Sequence, residues 1–396
     1  MKNGCQLTYQ QSFDGDLWSR CRGKLAEAFG PALAENLAPA PLFLEPGLLA
    51  EMDAAAQSIF AVLTSGDPLL PGDEIVPPAW LTPDDSELPP MLNVDFALTR
   101  GDDGGVEAKV LELQGFPSYY FSQLILANLY ARMLPSLSPA AAFLGGRNQD
   151  AYIQLLRELI LGGEDPRDVV LLDLEPHKQK NWMEFQLTAR YCGLRVACVS
   201  RLKRRGNDLG VEWDEGWKPV RRIYSRLVPE EVADKGLSLP WQDMTDPAVS
   251  WVVHPRWFFR WSKAVLPLIQ HSAVPRSVRL DTGFGQEPRG KVLKPLFSFG
   301  GRGVHLAPEP ADLAAIPPQQ RQQWLLMDRV DHAPLVADPQ TGCPQLCEVR
   351  LLYVHHDGVF QPVTTMVRMG TKIASHASRQ GLGSWAKISL AFEAAA

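Results

Sequence analysis

The chain has 396 residues, 45% of them hydrophobic and 21% charged, with a formal net charge of −6 at pH 7. That length suits two or three packed units of roughly 100–200 residues each, and that composition is ordinary for a soluble globular protein. The acidic balance argues against a broad nucleic-acid surface, and no apolar run approaches the ~18 residues of a membrane-spanning helix. The first six residues lack the apolar core of a secretory signal. Six cysteines in so long a chain are no disulfide scaffold. Cys343 and Cys347 have no second pair or histidine cluster to complete a zinc site. These features predict a cytoplasmic protein with reduced cysteines and with neither nucleic-acid nor membrane partners.

Residues 9–64 read as helical: Leu17, Trp18, Cys21, Leu25, Ala28 and Phe29 recur at helical spacing, as do the apolar residues of 48–63. Residues 65–90 form a loop punctuated by proline and glycine. The expected first unit is thus an N-terminal helical layer, 1–90.

From residue 91 the period changes to two. The run 91–98 alternates apolar and polar residues, with Asn93 and Asp95 on one face. A turn rich in glycine and aspartate, 101–105, leads into a return strand, 108–114, which puts Glu112 and Gln114 on one face. The hairpin can therefore present Asp95, Glu112 and Gln114 to a shared point. Two carboxylates and an amide oxygen are hard ligands of the kind magnesium takes beside nucleotide phosphates. The plainer alternative is the solvated face of a sheet. Residues 119–135 read as a buried helix and 150–161 as another, completing a second unit, 91–165.

Residues 166–227 alternate strand and helix: 168–173 and 194–199 as strands about a helix over 181–192, then 221–227 as a third strand. The segment 202–217 reads as a solvated hairpin. The aromatics of 240–280, among them Trp241, Trp251, Trp257 and Trp261, fit a helix over 262–269 packing on the core. This third unit, 166–280, is a small α/β layer.

The last unit, 281–396, opens on a strand at Val292 and Leu293, with Lys294 at its end and a glycine-rich turn, Gly300, Gly301, Arg302 and Gly303, beyond it. Glycines admit positive φ and let backbone N–H groups close on an anion; the lysine adds a point charge for phosphate. The spacing is neither a Walker A loop nor the dinucleotide fingerprint, and an ordinary hairpin turn is the alternative. A surface segment with a helix, 305–323, precedes an apolar strand, 324–330. A polar-alternating hairpin follows, 348–354 and 360–369, turning at His355, His356, Asp357 and Gly358 and carrying Arg368 on its return.

The order lysine, glycine loop, apolar strand and arginine-bearing hairpin resembles the ATP-grasp fold. The metal-ligand strands that ordinarily come after those elements instead resemble residues 93–96 and 111–118, which are similar to the magnesium-binding segment of the synthetase domain of glutathionylspermidine synthase, a circularly permuted ATP-grasp ligase. The resemblance covers roughly residues 90–390 through short motifs. The fold class it implies is α/β (α+β), ATP-grasp-like and circularly permuted, with a small Rossmann-like pre-grasp layer. It also implies site residues: Asp95, Glu112 and Gln114 for magnesium, and Lys294, Ser298, Gly300, Gly301, Arg302 and Gly303 over the nucleotide phosphates. Met327 and Asp328 would form the adenine hinge, Ser118 would lie near the substrate, and Arg368 would face the reacting phosphate. Gln114 stands where the family has Asn, and Asn93 where it has Arg.

The implied activity is an ATP- and Mg2+-dependent joining of a small-molecule carboxylate to an amine through an acyl phosphate. The alternatives are a non-catalytic nucleotide-binding protein, a phosphotransferase that stops after the first step, and a structural α/β protein whose glycine turn is only a turn.

Overall fold

A computed structural model describes residues 4–82, 88–242, 244, 248–298, 301–371 and 387–394. Its largest sheet joins the hairpin of residues 91–114 to strands from the last part of the chain. The strands run in the order Lys387–Ser389, Val359–Gly370, Pro344–His356, Met91–Arg100 and Val106–Gln114, all antiparallel, with Pro334–Ala337 extending the edge beside Pro344–His356. The early hairpin thus lies against the late one, and Asp95 stands opposite Arg350, 255 positions away.

The alternation in Met91–Arg100 does not mark a solvated face. Asn93 and Asp95 are as buried as the apolar residues between them: the Asn93 amide donates to the Phe116 carbonyl, and Asp95 accepts from Arg350 and Arg368. On one side of the sheet lies the helix Pro46–Leu63, whose Phe60 packs edge-on against Tyr353 at 5.0 Å. Tyr353 donates to Asp53 of that helix at 2.9 Å. Phe60, 2% exposed, is a side chain whose burial is worth about 1.5–3 kcal/mol. The helix Ser122–Met133 packs against the same sheet. Its start is held by Glu184, which accepts from the amides of Phe121 and Ser122 at 2.9 and 2.8 Å.

A second, parallel sheet runs in the order Ser250–Trp251, Arg222–Ser225, Val169–Asp173, Arg195–Cys198. The helix Trp182–Cys192 makes the crossover and ends at Gly193, which takes φ 76° as a left-handed cap requires. The chain moves from Val169–Asp173 to one side and later returns to the other, so the strand order reverses between Asp173 and Ser225. The third sheet is small and antiparallel, with Trp324–Asp328 between Ser277–Arg279 and Lys291–Pro295. Its own core is Leu280, Leu293, Leu313, Ile316 and Leu326.

Several local expectations change. Leu42–Leu44, inside the expected helical layer, is a strand parallel to Ala391–Glu393. The expected hairpin at 202–217 gains a strand and becomes a three-stranded sheet ending at Gly216–Pro219. The helix expected over 262–269 is a 3-10 stretch, Lys263–Leu268, with Pro267 inside it, where the ring removes a donor. His355 and His356 finish a strand, and the turn itself is Asp357 and Gly358, both at positive φ. The segment 281–396 is shared between the small sheet and the large one.

Candidate active site

One face of the large sheet carries charge where a core would ordinarily be apolar. Register puts Glu112 and Arg350 on either side of Asp95, and Arg368 opposite Glu348. The Arg350 guanidinium donates to both Asp95 oxygens, each at 2.6 Å, and through its remaining nitrogen to the Ser118 hydroxyl at 2.7 Å. Arg368 reaches Asp95 at 3.1 Å and Glu348 at 2.9 Å. Asp95 is 1% exposed and Arg350 3%; such a pair persists only when its hydrogen bonds are this well made.

The small sheet closes over this face. Lys294, on Lys291–Pro295, directs its ammonium to the Leu111 carbonyl at 3.4 Å and lies 3.6 Å from the Met327 sulfur. Lys263, 5% exposed, donates to Glu112 at 3.2 Å and to the Ser298 carbonyl at 3.1 Å, linking the sheet to the base of the glycine turn. Between them is a cavity of about 240 Å3. Its apolar side is Val292, Val304, Leu306, Ala307, Met327 and Val330; its charged side is Glu112, Lys263, Lys294, Glu348 and Arg368. Counting Asp95 and Arg350 behind them and Asp328 and Arg329, which also line the cavity, five cations face four carboxylates, so the cluster is net positive. Such an excess suits an anionic ligand.

The titration of these groups follows from their neighbours. Burial alone would raise Glu112, but Lys263, Arg350, Arg368 and Lys294 together hold it well below the usual carboxylate range. Burial raises Glu348, with Asp95 and Glu112 adding to it and Arg368 opposing. Burial lowers Lys294 to about 8, against the pull of Glu112. Arg368 is held protonated: burial disfavours its charge, and Glu348, Asp95 and Glu112 outweigh that.

The expected site residues are thus largely brought together, with differences. Lys294, Ser298, Gly301, Met327, Asp328, Glu112 and Arg368 line one cavity. Arg302 does not: it is turned outward into an exposed ion pair with Asp234 at 3.0 Å. Gly303 takes φ 73°, and a Cβ there would lie 2.8 Å from the Pro295 ring, so the turn needs glycine at that point. Gly300 lies outside the described residues. Asp328 pairs with Lys291 at 2.7 Å.

The metal set needs a distinction. Asp95 already accepts three hydrogen bonds from two guanidinium groups, which leaves at most one of about four lone-pair sites; the structure uses it to fix arginines. Gln114 donates to Glu112, while its own carbonyl oxygen is buried without a partner, as is that of Asn93 opposite it. A buried oxygen with no donor beside a carboxylate fits a hard cation. Glu112 with Gln114 is also the one-or-two-ligand arrangement that magnesium takes when phosphates supply the rest. No group of three or more acidic, histidine or cysteine side chains that could hold a metal occurs among the described residues.

Lys263 carries only a weak local signal, a lysine followed by the apolar Ala264, Val265 and Leu266. Glu348 and Arg350 lie on one face of Pro344–His356, where they pair with Arg368 and Asp95 respectively.

No protein-family model matches the chain, and no curated protein matches it in sequence. Among solved structures, a glutathione synthetase-like effector from Globodera pallida, in its apo form, superposes on 96% of this chain and 96% of its own, with a TM-score of 0.58 and 12% identity. Likeness at that identity is one of fold: the chain has a mixed α/β fold similar to that of a glutathione synthetase-like protein.

Proposed function

We propose that the chain is a circularly permuted ATP-grasp ligase that binds ATP with Mg2+ and joins a small carboxylic acid to an amine. The observation that supports this reading is the meeting, across one cavity, of Lys294 and the hairpin strand of Glu112, where Lys294 reaches Leu111, 183 positions away. The apolar side of the cavity suits adenine, with the backbone of Met327 and Asp328 at its edge. The charged side suits the phosphates: Lys294 and Lys263 offset their charge, and Gly301 and Gly303 let the turn close over them. Glu112 and the Gln114 carbonyl would hold Mg2+, which when bound draws charge from the β- and γ-phosphates.

The protein's part in the reaction is positioning and charge neutralisation. An oxygen of the acid attacks the γ-phosphorus, and ADP leaves. The amine nitrogen then attacks the acyl carbon, losing a proton as phosphate departs. Arg368 faces the cavity and offsets charge on the transferring group. Asp95 holds Arg350 and Arg368 in place. Ser118, fixed by Arg350, keeps its own O–H available to donate to the acid.

The test is ADP release on the purified chain with ATP, Mg2+ and a matrix of acids and amines. Release that requires one acid and one amine together, with a condensed product by mass, is the expected result. A second reading, a nucleotide-binding protein without turnover, draws on the pairing of Asp95 with two arginines; ATP binding with no release across the matrix is its outcome. Release without an amine and with a phosphorylated acid would identify a phosphotransferase.

A further inference from the structure

Arg226 is an anomaly of a different kind from the charges above. It is 4% exposed, makes no ion pair among the described residues, and leaves its Nε and one terminal nitrogen without hydrogen-bond partners. Phe116 and Phe185 lie over its guanidinium at 5.3 and 5.5 Å. Aromatic faces stabilise a cation but do not satisfy its N–H groups, and a buried guanidinium with unfilled donors is among the costliest groups a fold can keep.

The nearby carboxylates do not fill that need. Glu184 spends its oxygens on the amides of Phe121 and Ser122 and on the Ser122 hydroxyl. Asp173 accepts from the Leu174 amide at 2.7 Å, and burial pushes it up to about 7 against the pull of Arg226, so at neutral pH it is a weak counter-ion.

The location is informative. Arg226 follows Arg222–Ser225 and Asp173 ends Val169–Asp173, so both stand at the carboxyl ends of adjacent parallel strands where strand order reverses. Such a reversal, at the carboxyl ends of the strands, is where open α/β sheets hold ligands. The loop that roofs it leads back to the charged cavity: Phe116 covers Arg226, Ser118 is bound by Arg350, and Tyr119, at φ 55°, is within the field of Arg226, Arg368 and Arg350 alike.

The geometry points to Arg226 as the anchor for a second anionic group on the acid substrate, so that the acid is a dicarboxylate, one end presented beneath Arg368 and the other held at the carboxyl ends of the parallel strands. In naming the acid this rests on the ligase reading; as a binding site for dicarboxylates it stands separately. A carboxylate is the natural partner, because it is planar, anionic and able to take several N–H donors at once.

The experiment is calorimetric titration of succinate, glutarate and adipate, with pentanoate as the single-carboxylate control, into the full chain and into Arg226→Met, with ATP and Mg2+ titrated in parallel. At least one dicarboxylate should bind the wild type tenfold or more tighter than pentanoate, and Arg226→Met should lose that advantage while its ATP affinity stays within twofold. Without ligand, Arg226→Met should melt at or above the wild-type temperature, since it removes an uncompensated buried charge; Arg226→Lys should retain part of the dicarboxylate binding. Dicarboxylates no better than pentanoate, equal binding by Arg226→Met, or a marked fall in its melting temperature would each overturn the assignment, the last by showing that the arginine serves the fold. Dicarboxylate binding without any ATP binding would overturn the ligase reading alone, and ATP binding without dicarboxylate preference would overturn this assignment alone.

Discussion

Asp95→Asn separates an organiser of arginines from a metal ligand by the sign of its effect on stability. In the structure Asp95 accepts two bonds of 2.6 Å from Arg350 and one of 3.1 Å from Arg368, at 1% exposure. Removing one partner of such a buried pair costs about 3–5 kcal/mol, because the other charge is left uncompensated. At about 2.1 cal/mol/K per residue the unfolding entropy of a chain this long is roughly 0.8 kcal/mol/K, so Tm should fall by about 4–6 °C if the chain melts as one unit. The assay is thermal unfolding followed by circular dichroism, without Mg2+ or nucleotide. The double variant Asp95→Asn/Arg350→Met should recover part of the loss, since no guanidinium is then left without its carboxylate. Were Asp95 chiefly a ligand held among like charges, neutralising it would relieve repulsion with Glu112 and Glu348, and Tm would stay or rise. That result would refute the organising role.

Further outcomes follow from the same cavity. Lys294 is lowered to about 8 from 10.5 by burial. Between those values the unfolded lysine keeps its proton while the folded one has lost it, so this group makes stability rise with pH; on the proposed reading the ammonium meets the ATP phosphates, so ATP should bind more weakly over the same range. Calorimetry from pH 7.5 to 9 should show affinity falling by up to about tenfold per pH unit in the wild type but staying flat in Lys294→Arg. Glu112→Gln should leave the far-UV spectrum intact and weaken Mg2+-dependent ATP binding at least tenfold, about 1.4 kcal/mol; unchanged affinity would remove Glu112 from the metal site. Gly303→Ala forces a side chain into φ 73° against Pro295, at about 1–2 kcal/mol, and should both lower the melting temperature and weaken ATP; an unaltered Tm would show that the turn adapts.

Much of the architecture could be read from local signals. The hairpin Met91–Gln114 announces itself through its glycine-rich turn, and the crossover helix Trp182–Cys192 through its terminal Gly193. What stayed hidden depends on distant partners. Leu42–Leu44 becomes a strand because Ala391–Glu393 lies beside it, and nothing within a few residues of Leu42 records that. The same holds for chemistry. The face shared by Asp95, Glu112 and Gln114 follows from a period of two, but that Arg350 occupies Asp95 depends on a register between strands 255 positions apart. Arg302 illustrates the limit of motif reading: it sits in the glycine turn, yet its side chain finds Asp234 on the surface. Arg226 gives no sequence signal apart from its place at the end of a strand; its two unfilled donors are visible only in three dimensions.

The nucleotide site is best tested by calorimetric titration of ATP into the purified chain, with and without Mg2+, alongside Lys294→Ala. Saturable binding that Mg2+ strengthens and Lys294→Ala abolishes is the predicted result. No heat of binding in either condition, or binding indifferent to Lys294, would contradict a nucleotide in this cavity.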